Sequence, residues 1–231
     1  MPSIGSVLIV ARIESVNIAV AMPNRYGSAP ATGIGKRPTS EPVWVRDPGE
    51  KSIGLGSGLV GDFIGDGKHH GGRNQAVYAF AREDLDDWQT RLGRVLPDGY
   101  FGENLTTSGL DVTAALIGER WKIGDTLELQ VTCPRIPCAT FRGWVGDPGW
   151  LKTFTQAARP GAYLRVITPG AVSAGDIVEI VHRPPHHVSI GLVFRATTTD
   201  RDLLEQLLPA GDDLDDETRD LVRSKQTVTL D

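Results

Sequence analysis

The sequence predicts a mainly β fold, a strand-rich barrel with peripheral helices, followed by a small C-terminal three-helix unit. Three observations predict it. Short apolar runs alternate with a period of two and are separated by turn residues, of which the 231-residue chain holds 27 glycines and 15 prolines. Two helical stripes interrupt those runs. Beyond a proline-rich break near residue 185 the apolar period changes to about 3.6.

Val16, Ile18 and Val20 alternate and predict a strand with one face on a core, as do Leu127, Leu129 and Val131. The runs Val43 to Val45, Ala76 to Phe80, Tyr163 to Ile167 and Ile177 to Val181 predict further strands. Leu85, Trp88 and Leu92 stand at i, i+3, i+7 behind the acidic start Glu83-Asp84 and predict a helix. Leu151, Phe154 and Ala158 predict a second, stopped by Arg159-Pro160. His182-Arg183-Pro184-Pro185-His186-His187 reads as a stiff linker. It divides a barrel domain, residues 1–185, from a helical extension, residues 186–231.

In that extension Ile190, Val193 and Phe194 form one stripe, Leu203, Leu204, Leu207 and Leu208 a second, and Leu214, Leu221 and Val222 a third. Asp200 and Asp213 or Asp215 are the expected N-caps. Helices this short bury little alone, so they are expected to pack on one another and on the body or a second subunit, which makes a homodimer an expectation.

Composition narrows the function. With 40% hydrophobic and 23% charged residues and a net charge of −5, the chain has no general affinity for nucleic-acid polymers or membrane surfaces. The charge is uneven: residues 200–231 carry ten acidic and four basic side chains, net −6, which leaves +1 on the rest and a body free to hold an anion. No apolar run approaches the roughly 20 residues of a membrane span. The early run from Val7 to Ala11 is cut by Arg12 and lacks a basic flank, so neither leader nor anchor is expected. Cys133 and Cys138 are the two cysteines, too few for a secreted disulfide scaffold, and a reducing cytoplasm is the expected location.

Gly56-Ser57-Gly58-Leu59-Val60-Gly61 satisfies G-x-G-x-x-G, but no strand leads into it and the residues after Gly61 are poor helix formers. A dinucleotide fingerprint needs both a strand and a helix, so the segment is expected to be a loop with positive φ. A zinc site made by Cys133, Cys138 and the histidine pairs is disfavoured, because two prolines lie inside a C-x4-C spacing that has no matching second pair.

Cys138 ends the segment Cys133-Pro134-Arg135-Ile136-Pro137-Cys138, with Arg135 and Arg142 nearby. Cations beside a thiol favour the thiolate, the form that attacks carbon or binds soft metals. The plain alternative is a small buried hydrophobe. His69-His70-Gly71-Gly72-Arg73 sets imidazole and guanidinium beside a glycine pair. Phe101-Gly102-Glu103-Asn104-Leu105-Thr106-Thr107 gathers a carboxylate, an amide and two hydroxyls at a strand start.

These segments, with Thr32-Gly33-Ile34-Gly35-Lys36-Arg37-Pro38 and Gly61-Asp62 with Asp66 before them, Ala76-Val77-Tyr78 after the histidines, and Ile117-Gly118-Glu119-Arg120 to Gly124-Asp125 between, resemble the MOSC domain family in its stand-alone YiiM-like type. The resemblance runs from about residue 12 to 181, and the tail resembles that type's three-helix extension. It implies a barrel that binds a molybdenum cofactor, a pterin dithiolene holding the metal, with Cys138 as the metal's protein ligand. Lys36, Arg73, Thr106 and Arg135 become candidate cofactor contacts, the cations for its phosphate. His70 and Asn104 become candidates, with Cys138, for the catalytic set that orients cofactor and substrate.

It further implies an oxidoreductase reducing small N-hydroxylated substrates, such as hydroxylaminopurines, to amines. The electrons must come from an external reductase, flavin-dependent or similar, since Cys133 alone cannot hold an iron–sulfur cluster. A non-catalytic sulfur or cofactor carrier is the alternative, and a binding module without turnover is a third. Two departures from the family pattern, Ala139-Thr140-Phe141 after the cysteine and a long loop from Asn24 to Ala31, are expected at the mouth of the pocket.

Overall fold

Leu127, Leu129 and Val131 lie on the strand Leu127–Pro134 with their side chains fully buried, and around this strand the sheet is assembled. The structure, a computed structural model, describes residues 10–230. The apolar run that begins at Val7 lies outside the described residues except at its last two positions, and so does Asp231.

In chain order the strands are β1 (Arg12–Ile18), β2 (Met22–Pro23), β3 (Ala31–Thr32), β4 (Arg37–Thr39), β5 (Val43–Val45) and β6 (Val77–Ala81). After them come β7 (Leu105–Ser108), β8 (Arg120–Ile123), β9 (Leu127–Pro134), β10 (Ala162–Thr168), β11 (Gly170–Val172) and β12 (Val178–His182). The helices are α1 (Arg82–Leu92), α2 (Ala139–Val145), α3 (Trp150–Ala157), α4 (Ile190–Thr198) and α5 (Asp216–Ser224). Turns of 3-10 helix occupy Arg73–Gln75 and Arg201–Asp213.

Eight strands form one mixed sheet in the order β12-β8-β9-β10-β6-β7-β1-β4. Every residue of β6 is buried, as its central place requires, and β6 runs parallel to β7, with α1 in the crossover between them. Among the described residues no continuous ladder closes the sheet into the barrel expected from the sequence. It curls instead until its margins meet: Ile13 N–H donates to Asp176 O (2.9 Å), Gly175 N–H to Ile13 O (2.7 Å) and Val178 N–H to Ala11 O (2.9 Å).

Most expected elements form, and several differ in detail. β1 ends at Ile18, and Val20, 82% exposed, is not on its buried face; a register shift between Ile13 and Ser15 breaks the alternation. α1 buries Leu85 and Trp88, while α3 buries Trp150 and Phe154 and leaves Leu151 half-exposed. The Gly56–Gly61 segment is a loop with φ of 79° and 87° at its end glycines, as expected. In the C-terminal part Asp215 caps α5, accepting from Thr218 N–H at 3.1 Å, and α4 is capped by Ser189. Asp200 makes no capping bond, and the middle stripe is a 3-10 stretch kinked at Gly211.

Two apolar groups hold the sheet. One joins Ile13, Val16, Trp121 and Leu129 to Leu204, Leu207 and Leu214 of the C-terminal part. The other is aromatic: Phe80, Trp88, Phe101, Phe141, Trp150, Phe154 and Phe194. Phe101 lies within 5.1 to 5.5 Å of the rings of Phe80, Phe141 and Trp150 in edge or tilted geometry. This group anchors α2 and so fixes the residue that precedes it, Cys138.

Candidate functional site

β9 ends at Pro134, and Pro137 stiffens the three residues that come next before the chain enters α2. Cys138 is the N-cap of α2, in extended conformation (φ −122°, ψ 171°), and its carbonyl accepts from Arg142 N–H at 2.9 Å. Its partly exposed thiol lines a cavity of about 430 Å³ walled by residues from 31–36, 63–71, 101–104 and 135–140. The first two of those walls meet backbone to backbone: a Cβ on Gly33 would lie 1.9 Å from Phe63 O, and one on Gly65 1.9 Å from Ala31 O. Only glycine permits that approach.

Burial pushes the Cys138 thiol upward, but a hydrogen bond with His70 and the charge of Arg135 outweigh it and bring the pKa down to about 6. Arg135 is 5% exposed. Its Nη1 donates to Phe101 O at 2.9 Å, and its guanidinium lies 3.8 Å from the Phe141 ring centroid and 5.4 Å from that of Tyr78. Among the described residues no carboxylate pairs with it; the ionisable groups beside it are Tyr78, Tyr163 and Cys138. A buried cation so placed favours an anionic ligand in the cavity. Tyr163 stands on the same wall with its phenol pushed up to about 12, chiefly by burial. Cys133 behaves oppositely to Cys138: buried, its thiol is pushed well upward, first by desolvation and then by Asp215.

Lys36 lines the cavity, but its Nζ is bound by Asp62 at 2.5 and 2.6 Å, with both side chains buried. Burial pulls the Lys36 ammonium downward and Asp62 opposes this. Asn104 also lines the cavity, yet its amide is spent on the walls. Oδ1 accepts from Tyr78 N–H (3.1 Å), and Nδ2 donates to Asn17 O (3.3 Å) and Asp62 Oδ2 (2.9 Å).

Two expected contacts are not brought to the cavity. Arg73 is half-exposed and pairs with Asp47 (3.0 Å) and Glu50 (3.8 Å), because its 3-10 turn points it outward. Thr106 is sealed beneath the sheet, accepting from Asn17 Nδ2 and donating to Glu103 Oε1. The structure therefore gathers Cys138, His70 and Arg135, with Lys36 and Asn104 as walls. Both departures from the family pattern do line the cavity, and they touch: Asn24 Nδ2 donates to Thr140 Oγ1 at 3.2 Å.

Sequence reasoning placed Asp62 in a family motif but gave it no role, because Lys36 and Asp62 lie 26 positions apart and only the fold joins them. It also missed Tyr163, read as an ordinary strand residue, and Thr229, which the tail lays against the cavity.

Glu103 organises the turn below the site. Its carboxylate accepts from Gly99 N–H (2.6 Å), Phe101 N–H (3.0 Å) and Thr106 Oγ1 (3.1 Å). Burial nonetheless pushes its pKa to about 7. A carboxyl whose folded pKa lies above its ordinary value of 4.5 stabilises the fold below that value and loses the contribution as pH rises through about 7. Thermal melts from pH 5 to 8 should therefore show falling stability in the wild type and a flatter profile in Glu103→Gln, lower at the acid end because one N–H acceptor is lost. Parallel profiles would contradict this assignment.

A curled mixed sheet thus brings Cys138, His70 and Arg135 to the wall of one cavity. The MOSC domain profile matches residues 66–179. The uncharacterized protein YflK of Bacillus subtilis is 30% identical over 179 residues, covering 77% of this chain and 76% of YflK. The chain belongs to the MOSC domain family. A protein of Gibberella moniliformis named Reductase is 30% identical over 171 residues, spanning 70% of this chain and 30% of that protein. The crystal structure of YiiM from Geobacillus stearothermophilus superposes with a TM-score of 0.73 at 24% identity, covering 93% of this chain and 98% of that one. The curled sheet and its C-terminal helices thus share the fold of YiiM.

Proposed function

We propose that the chain holds a molybdenum cofactor in the Cys138 cavity and reduces N-hydroxylated small molecules to amines. The observation that carries the reading is a partly exposed cysteine lining a cavity that also contains a buried arginine with no carboxylate partner among the described residues. Among the described residues no three His, Cys, Asp or Glu side chains gather around a metal-sized space. The donor set therefore suits a metal that arrives with most of its own ligands and takes one soft thiolate from the protein. Cys138 is that ligand, Arg135 is the partner of the cofactor's anionic portion, and His70 lines the same cavity beside them.

The cofactor would supply a two-electron redox couple. The overall conversion, R–NHOH + 2 e⁻ + 2 H⁺ → R–NH₂ + H₂O, breaks the N–O bond and takes its electrons from a separate reductase. The Gibberella relative supports that division of labour: it is named a reductase, and the region like this chain makes up 30% of it. In this chain Asp62 and Asn104 keep the walls in place, and Tyr163 keeps its phenolic proton at the cavity surface.

The test is molybdenum per chain in protein from a cofactor-producing host. Wild type should carry stoichiometric molybdenum and Cys138→Ser none. Equal metal in both would refute the ligand assignment. Loaded protein given a flavin reductase, NADH and an N-hydroxylated base should form amine; its failure to do so would favour a cofactor or sulfur carrier.

A further inference from the structure

A second cavity of about 410 Å³ adjoins the first, between the end of β9 and α5. Asp215, Glu217, Thr218 and Leu221 wall one side, and the tail closes it at Val228 and Thr229. Val228 N–H donates to Thr197 O at 2.8 Å and fixes that tail. His70, Gln75, Tyr163 and Thr229 line both cavities, so a molecule in the second reaches the residues that surround Cys138.

The two spaces differ in charge. The first is lined by Arg135, which has no carboxylate partner among the described residues, by Lys36, which Asp62 neutralises, and by Asp66; the second is lined by Asp215 and Glu217 and by no lysine or arginine. Glu217 is bound at the rim by Lys51 Nζ at 2.5 Å, so that cation is already paired. Asp215 accepts from Thr218 N–H and from Thr218 Oγ1 (2.6 Å), which fixes its carboxylate at the wall of the second cavity. A phosphate there would face Asp215 with no cation beside it and would have to compete with Glu217 for Lys51. The volume falls within the usual range of small-molecule sites, roughly 300–1,000 Å³.

We infer that the second cavity is the substrate subsite and that it selects uncharged or cationic N-hydroxylated compounds, bases or nucleosides, over phosphorylated ones. This rests on the first cavity being the cofactor's. Its consequence is that α5 and the tail, lying C-terminal to the residues that the MOSC profile matches, set substrate choice.

Equilibrium dialysis of the full chain, with and without cofactor, tests it with three probes: 6-hydroxylaminopurine, its ribonucleoside and the nucleoside 5′-monophosphate. Base and nucleoside should bind, and the monophosphate should bind about ten-fold more weakly or worse. Leu221→Trp, which fills the second cavity alone, should weaken base binding by a similar factor with unchanged molybdenum content. Glu217→Lys, at an exposed position that does not endanger folding, should narrow the gap between monophosphate and nucleoside. Cys138→Ser should lose metal yet still bind the base, so a failure of the cofactor reading appears in metal content and a failure here appears in dialysis. A monophosphate that binds as well as the base, no binding of the base, or an unchanged affinity in Leu221→Trp would overturn the inference.

Discussion

Asp62→Ala should destabilise the protein by about 3–5 kcal/mol, because it strips the counterion from a buried lysine. The Asp62 carboxylate also accepts from Ala19 N–H (2.9 Å), Ser57 Oγ (2.7 Å) and Asn104 Nδ2 (2.9 Å). Four separate segments, two of them walls of the Cys138 cavity, thus meet on one side chain. In a chain of this size the loss corresponds to a fall in Tm of roughly 10 °C. Adding Lys36→Met should restore part of the stability, since it removes the stranded charge but not the three other orphaned donors. Denaturant melts of the four proteins in that cycle measure the effect. A single variant within about 1 kcal/mol of wild type would contradict the role given to Asp62.

Phe101→Ala is the second large effect, about 3–5 kcal/mol for removing a fully buried aromatic side chain from a packed cluster. Beyond the cavity it leaves, the substitution loosens the backbone whose Phe101 carbonyl receives Arg135. Stability and the site should therefore fail together: reduced Tm, and slower alkylation of Cys138 near pH 6 as Arg135 loses its seat. Reduced stability with unchanged thiol reactivity would show that the cluster supports the fold alone.

The strands around β9 and β10 and the stripes of α1 and α4 were legible because burial on one face imposes a period on the sequence. α2 was not, because seven residues give one repeat, Phe141 to Val145, too little to register against a turn-rich background. The curl of the sheet rests on backbone bonds between Ala11–Ile13 and Gly175–Val178, which leave no mark on side-chain pattern. At the site, the local segment around Cys138 and the family motifs pointed to Cys138, His70 and Arg135. Sequence could not reveal that Lys36 and Asn104 are committed within the walls, or that Arg73 faces Asp47, since each outcome depends on partners far along the chain.

The central claim is that Cys138 is a thiolate at neutral pH, and the rate of its alkylation by iodoacetamide against pH measures this in cofactor-free protein. Half-maximal rate should fall near pH 6, with Cys133 protected until the protein unfolds. His70→Ala and Arg135→Met should each move the midpoint upward. A midpoint near the ordinary thiol value of 9.0, or a Cys138 no more reactive than Cys133, would contradict it.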